Sequence, residues 1–298
     1  MTDMRPYRFP SRLCGALLAA ACGTVAAQSV VVAQSTPLPS AEPAPLQAVV
    51  PTPDPAADPT TKRPRFTAFA SGTHSALSAG LPDGEAVNLR GVWAMKSGDS
   101  LIADVLDERK FGQRGGVAAL SYTRLLSPDW YAIGTVAAGH GGPNWANLRV
   151  DAQLSRKWLA GRQLITSVAL YHASFDNARS DDGLRLSATW YSALPAVFEV
   201  GTTINVSRPG NVRSQMPYAS ATFGREGAWY LSARVSSGSE AYQAIGAGQQ
   251  LVDFHSDSLA LGWRQWLGRT WGLTAQAEHY RNPTYRRTTA GAGVFVQW

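Results

Sequence analysis

The stretch WANLRVDAQLSRKW, residues 145–158, alternates between apolar and polar side chains. Its apolar side chains share one parity: Ala146, Leu148, Val150, Ala152 and Leu154. Its polar side chains share the other: Asn147, Arg149, Asp151, Gln153 and Ser155. Successive side chains of a β-strand point to opposite faces, whereas a helix would mix the two sets around its axis. The stretch is therefore predicted to be a strand with one apolar face and one strongly polar face.

The same alternation recurs from residue 66 to residue 298. The segments run to about 9–13 residues, which is the length that a tilted strand needs to cross a bilayer, whereas soluble strands are usually about 5–6 residues long. Fourteen segments are predicted, starting near 66, 85, 100, 115, 130, 145, 163, 183, 197, 217, 228, 254, 270 and 287. The sequence thus predicts an all-β fold, a closed antiparallel transmembrane β-barrel of about 14 strands. Twelve strands are the alternative, because the segment from Phe66 to Ser75 is poorly patterned.

The predicted connections alternate in length, with tight turns after even strands and longer polar loops after most odd strands. The longest loops are predicted at residues 75–84, 176–183, 208–216 and 236–253. Outer-membrane barrels have short periplasmic turns and longer outer loops. The pattern, with an even number of strands, therefore predicts that both ends of the barrel domain lie in the periplasm.

Nine of the ten tryptophans fall near the ends of predicted even strands or the starts of odd strands, and only Trp145 falls at the opposite end. Indole rings prefer the membrane–water interface, where barrels carry aromatic girdles. A periplasmic girdle is therefore predicted from Trp93, Trp130, Trp158, Trp190, Trp229, Trp263, Trp266, Trp271 and Trp298.

The last predicted strand ends on an aromatic residue. Ala290, Ala292, Val294, Val296 and Trp298 share one face of it. Outer-membrane barrels typically end in this way, and the barrel-assembly machinery recognises the terminal strand.

Several short motifs resemble a known family. They are Arg109-Lys110-Phe111-Gly112, Gly262-Trp263-Arg264-Gln265-Trp266-Leu267, and Tyr280 with Tyr285-Arg286-Arg287. Together they resemble the YaiO-type outer-membrane β-barrel domain over roughly residues 66–298. The resemblance implies an envelope protein linked to surface polysaccharide, and it supplies no catalytic residues.

The N-terminal region has the pattern of an export signal. Arg5, Arg8 and Arg12 precede an apolar run that ends in Ala27, so residues 1–27 are predicted to be a cleaved signal peptide. Lipidation at Cys22 is the rival hypothesis, although the usual leucine three residues earlier is missing. The second cysteine, Cys14, also falls in this segment, so the mature chain would contain neither a disulfide nor a cysteine-based zinc site.

Residues 28–65 are rich in proline, with nine prolines between positions 35 and 65. Such a segment buries too little apolar surface to offset its ordering entropy, and a disordered linker is predicted. It would act as a spacer, or alternatively as a segment that threads the periplasm or plugs the barrel. The whole chain has a net charge of +6, which falls to +4 without the signal peptide. With no basic stripe, nucleic-acid binding is not expected.

Polar side chains of the predicted strands must face the barrel interior, because a charge facing hydrocarbon would cost roughly 2–4 kcal/mol near the midplane. These side chains are predicted to line a pore: Arg149, Asp151, Gln153, Arg185, Glu199, Asn205, Arg234, Arg264, Gln276 and Glu278. They would either form a salt-bridged network that closes the lumen or border a water-filled passage.

Two groups of polar residues raise the question of catalysis. His172 and Ser174, with Asp176 as the orienting acid, could form a hydrolase site, although neighbours on one strand face are rarely in nucleophile–base geometry. A second group, Asp253, His255 and Asp257, suggests a metal or acid-pair site. Residues of the same parity further along the strand are predicted to face lipid. The group is therefore predicted to lie above the membrane on the outer wall, as a solvated extension of the strand.

The sequence therefore favours a non-enzymatic barrel in the bacterial outer membrane, acting as a narrow channel or export conduit. An occluded structural or surface-interaction barrel is the second hypothesis, and an outer-membrane lipid hydrolase is the third. No catalytic residue, cofactor or metal is assigned. The expected partners are outer-membrane lipid, the barrel-assembly machinery, and polysaccharide or small solutes.

Overall fold

A computed structural model describes residues 65–246 and 248–298. The predicted signal peptide, and the predicted linker apart from Arg65, lie outside the described residues. Within them, no helix is long and apolar enough to cross a membrane.

The described chain folds into fourteen antiparallel strands that close into one barrel. The strands are β1 (Phe66–Leu77), β2 (Gly84–Ala94), β3 (Ser100–Lys110), β4 (Gln113–Leu125), β5 (Trp130–His140), β6 (Leu148–Trp158), β7 (Leu164–Ser174), β8 (Ser180–Tyr191), β9 (Ala196–Arg208), β10 (Val212–Arg225), β11 (Trp229–Gly246), β12 (Gln249–Trp266), β13 (Trp271–Arg281) and β14 (Arg286–Gln297). Each strand pairs with the next, and β1 pairs with β14, which closes the sheet. The predicted 14-strand barrel is confirmed.

Strand β1 pairs along its full length although its sequence is poorly patterned. Its register with β14 runs from Thr67 opposite Gln297 to Leu77 opposite Arg287, and it also pairs with β2. A strand with a hydrogen-bonded neighbour on each side gains its backbone ladder whatever its side chains are. This pairing excludes the 12-strand alternative.

The two faces of the wall differ as the alternation predicts. On β6, the outward Val150 is 48% exposed, whereas the inward Arg149 is only 1% exposed. Without surrounding lipid the outward side chains are exposed to solvent, and in a membrane they contact lipid. The residues that decided the prediction thus lie on the faces assigned to them, although β6 begins at Leu148 and Trp145 is buried in the connection before it.

Two of the four predicted long outer loops are wrong, whereas the chain does connect β1 to β2 through residues 78–83 and β7 to β8 through residues 175–179. Most of 236–253 belongs to β11 and β12, two 18-residue strands that pair out to Gly246 and Gln249. The predicted loop at 208–216 shrinks to residues 209–211. Polar side chains do not prevent strand pairing, and a hairpin that extends past the membrane has no need of an apolar outer face. The orientation inferred from loop length stays a prediction.

Eight of the nine predicted girdle tryptophans are exposed at one end of the barrel, which is called the Trp-rich end below. Trp266 is the exception, because it is only 7% exposed, whereas Trp263 on the same strand is 39% exposed. From Phe254 onward the even residues of β12 point inward, as Arg264 also does, so Trp266 lies inside the barrel. Its assignment to the girdle is corrected. The membrane-interface role of the other eight stays a prediction.

Candidate functional site

The interior of the barrel contains the polar side chains on which a function can rest. All ten residues predicted to line a pore lie on the inward face of their strands and are buried or half-buried. Seven of them lie on the neighbouring strands β6–β11. Six of these seven, Gln153 excepted, are called the central polar wall: Arg149, Asp151, Arg185, Glu199, Asn205 and Arg234.

A three-layer stack fixes one side of the central polar wall. The guanidinium carbon of Arg149 lies 4.0 Å from the ring centroid of Tyr171. Gly183 is directly opposite Tyr171 in the strand register, and a Cβ at this glycine would overlap the tyrosine ring. The glycine therefore lets the ring lie flat against the barrel wall, where it supports the cation that covers it.

The same stack is repeated on the other side. Arg234 lies 3.8 Å from the ring centroid of Tyr218, and Tyr218 lies over Gly201, its register partner. The two glycines lie on the adjacent strands β8 and β9. From there one stack extends over β7 and β6, and the other extends over β10 and β11. As a result, two tyrosines are held along the wall instead of projecting toward the barrel axis.

Acidic and amide groups tie the stacks together. Arg149 donates to both oxygens of Asp151, at 2.9 and 2.8 Å, which is the bidentate geometry of a strong ion pair. The Tyr171 hydroxyl donates to Asn205 Oδ1 at 3.0 Å, and the Tyr218 hydroxyl donates to Glu199 Oε1 at 2.5 Å. The wall therefore presents cations, carboxylates and an amide in fixed positions.

Part of this wall borders internal space. The Asp151 side chain is 18% exposed although it points inward, and Glu199 and Arg234 are also half-buried. An inward side chain in a closed barrel keeps accessible surface only where a water molecule can reach it from the lumen. The barrel is therefore not packed solid at this height.

A second group closes part of the interior at the end opposite the Trp-rich end. It is called the loop-end cluster and consists of Lys110, Glu240, Gln243, Ser256, Tyr280, Tyr285 and Arg287, all buried. The hydroxyls of Tyr280 and Ser256 donate to Glu240 Oε1. The Tyr285 hydroxyl donates to Gln243 Oε1 at 2.8 Å. Lys110 on β3 interacts electrostatically with Glu240 on β11, nearly half-way round the ring of strands.

Apolar side chains cover the loop-end cluster. Phe111 packs edge-on against Tyr285, with ring centroids 5.5 Å apart, and Ile245 belongs to the same cluster. Sequence reasoning missed this site because its members lie on β3, on β11–β14 and in the turn before β14, and the pattern of one strand does not show which other strands it faces. A signal was present, since Lys110, Phe111, Tyr280, Tyr285 and Arg287 belong to the motifs that carry the family resemblance.

A third group fills the same half of the interior at the Trp-rich end. Phe69, Tyr230, Trp266 and Phe295 form a buried aromatic cluster. The guanidinium of Arg264, one of the predicted pore residues, lies 4.8 Å from the Phe69 ring. Arg264 therefore packs among aromatic rings and does not belong to the central polar wall.

A model of the YaiO membrane beta barrel domain matches residues 68–243, which is more than half of the chain. The chain belongs to the YaiO membrane β-barrel family. No curated protein matches it.

Solved outer-membrane barrels resemble this YaiO barrel in fold. A bacterial polysaccharide outer membrane secretin has a TM-score of 0.51 at 10% identity, over 80% of this chain and 100% of that one. The CymD monoaromatic hydrocarbon channel has a TM-score of 0.53 at 7% identity, over 80% and 89%. An anion-selective porin from Comamonas acidovorans has a TM-score of 0.45 at 10% identity, over 78% and 98%. At these identities the likeness is one of fold alone.

The outer wall of the YaiO barrel does not assemble the predicted hydrolase triad. His172 Nδ1 lies 2.7 Å from Asp182 Oδ1, and Arg208 also pairs with this carboxylate. Ser174 Oγ donates to the carbonyl of Leu148, and Asp176 accepts from Asn147. The acid predicted to orient the histidine thus has a different partner.

The predicted group at 253–257 is only partly brought together. His255 Nε2 and Ser237 Oγ both contact Asp257 Oδ1, at 3.3 and 2.6 Å, and Arg281 pairs with Asp257 Oδ2 at 2.9 Å. Asp253 has positive φ and lies outside these contacts. Among the described residues, no group of three or more His, Cys, Asp or Glu side chains is placed to hold a metal ion.

Proposed function

We propose that this YaiO barrel is a non-enzymatic conduit of the bacterial outer membrane, and that polar solutes pass along the central polar wall. The observation that carries the proposal is the partly accessible, charged inner face at Asp151, Glu199 and Arg234, beside tyrosines held flat over glycines. An inner wall that carries charges and keeps accessible surface is what a water-filled passage requires.

Surface polysaccharide is the cargo that we favour. Guanidinium, carboxylate, amide and phenol groups all form hydrogen bonds with sugar hydroxyls. The fold likeness to a polysaccharide outer membrane secretin is in keeping with this class of cargo, although the assignment depends on the chemistry of the wall.

The test is single-channel recording in planar bilayers. Arg234→Gln removes an inward positive charge and is expected to shift the reversal potential toward cation selectivity. Glu199→Gln keeps an acceptor for Tyr218 and is expected to shift it toward anions. Arg213→Gln, on the outward face of β10, is the matched control. The proposed conduit would be contradicted by absence of current at every voltage, or by equal selectivity in the native protein and all three variants.

An occluded barrel is the second candidate, and the loop-end cluster favours it. Gln243 and Tyr285 are almost completely buried inside the barrel, on the side where Lys110 and Glu240 interact across the lumen. In that case the outer surface would bind partners and the interior would only stabilise the barrel. This candidate would be supported if the barrel carried no current and Arg234→Gln changed only the free energy of unfolding.

The non-enzymatic part of the proposal has a separate test. Because His172, Ser174 and Asp176 have different partners, we expect no lipid-acyl hydrolysis that depends on them. Any such activity that alanine at His172 and at Ser174 abolishes would overturn this part of the proposal.

A further inference from the structure

Arg156 is a cation on the lipid-facing side of the wall. It has the same parity on β6 as Leu148, Val150 and Leu154, all of which are exposed outward. It lies two residues before Trp158, at the Trp-rich end. A charged side chain on this face must find a polar partner near the membrane surface, because hydrocarbon offers none.

Aromatic rings hold the guanidinium of Arg156 in place. Its carbon lies 3.7 Å from the ring centroid of Trp158 and 5.2 Å from that of Trp130. Trp130 and Thr166 are the register partners of Arg156 on either side. Trp158 is itself fixed, because its Nε1 donates to Thr166 Oγ1 at 2.8 Å. These rings contact the guanidinium and leave its N–H donors for a ligand.

The charge of Arg156 has no acidic partner in the part of the chain that the structure describes. The nearby Asp129 pairs instead with Arg162, at 3.0 Å. The two arginines therefore differ in one respect: Arg162 is neutralised by the protein, whereas Arg156 is stacked on tryptophan and carries an uncompensated positive charge.

We propose that Arg156, Trp158 and Trp130 form a binding site for the phosphate of a glycerophospholipid in the membrane leaflet at the Trp-rich end. The fork of N–H donors matches phosphate oxygens in bidentate geometry. The acyl chains of the bound lipid lie along Leu154 and Val150, which continue the same outward face. The site orders one lipid against β5–β7 and fixes the height of the barrel in the membrane.

The test is native mass spectrometry of the folded full-length barrel, released from detergent with phosphatidylglycerol. We expect Arg156→Gln to weaken lipid retention by about tenfold or more, as the loss of hydrogen bonds to a charged group implies. Arg162→Gln is the matched control and is expected to leave retention unchanged. Arg156→Lys keeps the charge without the planar fork, so it is expected to give an intermediate value and serves if the glutamine variant does not fold.

Three further arms identify the source of the phosphate. A digalactosyl diacylglycerol, which has acyl chains but no phosphate, is expected to bind without dependence on Arg156. Inorganic phosphate is expected not to displace phosphatidylglycerol. Equal retention in Arg156→Gln and Arg162→Gln overturns the site, and so does Arg156-dependent binding of free phosphate or of lipid A in preference to phosphatidylglycerol.

Discussion

The two halves of the interior wall are built differently, although their outer faces follow one apolar pattern. Strands β6–β10 carry most of the central polar wall, where tyrosines lie flat over glycines and inward charges keep accessible surface. Strands β11–β14 with β1–β3 carry the buried aromatic cluster at one end and the loop-end cluster at the other. Lipid dictates the outer face of every strand. The inner face is free to differ, so one half can fill the barrel while the other leaves space.

The two halves are therefore expected to contribute to different properties, the filled half to the stability of the barrel and the other half to solute passage. The filled half contains fully buried aromatic and amide side chains, among them Phe295 and Gln243. Changes there are expected to alter the free energy of unfolding more than conductance. Changes in the half with accessible surface are expected to alter conductance more than the free energy of unfolding.

The largest effect on stability is expected at Glu240 in the loop-end cluster. Glu240→Ala removes the acceptor of Tyr280 and Ser256 and a counter-charge of the buried Lys110. Breaking a buried charge network is expected to lower the free energy of unfolding by about 3–5 kcal/mol. Urea titration of the barrel in lipid vesicles measures it. Glu240→Gln, which keeps an acceptor oxygen, should lose less, and an alanine variant as stable as the glutamine variant would contradict the role of the hydrogen bonds.

A pair of glycine substitutions compares the two halves directly. Gly183→Ala would push Tyr171 off the wall, and Gly272→Ala would push against the Gln265 backbone oxygen and the Phe295 ring. Gly183→Ala is expected to cost about 1–3 kcal/mol, as overpacking usually does, and Gly272→Ala at least as much because a backbone atom cannot rotate away. Only Gly183→Ala is expected to reduce single-channel conductance, because only its displaced ring enters the polar passage. Equal conductance in the two variants would remove the functional difference between the halves.

The inward tryptophan allows a spectroscopic test of the filled half. Trp266 Nε1 donates to Gln297 Oε1 at 3.0 Å inside the barrel, so Trp266→Phe is expected to cost about 1 kcal/mol for the lost hydrogen bond. Quenching of fluorescence by brominated lipid should affect the remaining tryptophans of this variant at least as strongly as those of the native protein. Trp263→Phe should instead remove part of the quenched signal. Loss of quenched signal in Trp266→Phe but not in Trp263→Phe would show that Trp266 belongs to the lipid-facing girdle.

The number of strands and the faces of their residues could be predicted because hydrocarbon imposes a period of two on every outward side chain. The same rule places Trp266 inside with Arg264, and only its position near a strand end favours the girdle. The loop-end cluster could not be predicted in this way. Lys110 lies on β3 and Glu240 on β11, nearly half-way round the ring of strands, and alternation along one strand contains no information about which strands face each other.

The smallest expected effect concerns the turn that ties the filled half to β4. Asp99, between β2 and β3, accepts from the Leu125 backbone N–H at 3.0 Å and from the Tyr122 hydroxyl at 2.9 Å. These hydrogen bonds, the backbone one first, hold the pKa of Asp99 below its ordinary value. A carboxylate with a lowered pKa stabilises the folded state at neutral pH, and the contribution is lost as the pH falls below about 4. The corresponding turn before β5 uses the neutral hydroxyl of Ser127.

Hydrogen exchange can therefore locate the acid-sensitive turn. The protection factor of the Leu125 amide should fall between neutral pH and about pH 3, because protonation weakens its acceptor. The Trp130 amide, which donates to Ser127, should keep its protection over the same range. Asp99→Asn should remove the pH dependence at Leu125 without changing that of Trp130. A fall of the same size in this variant would mean that the whole barrel loosens in acid, and that the boundary of the filled half has no acid sensitivity of its own.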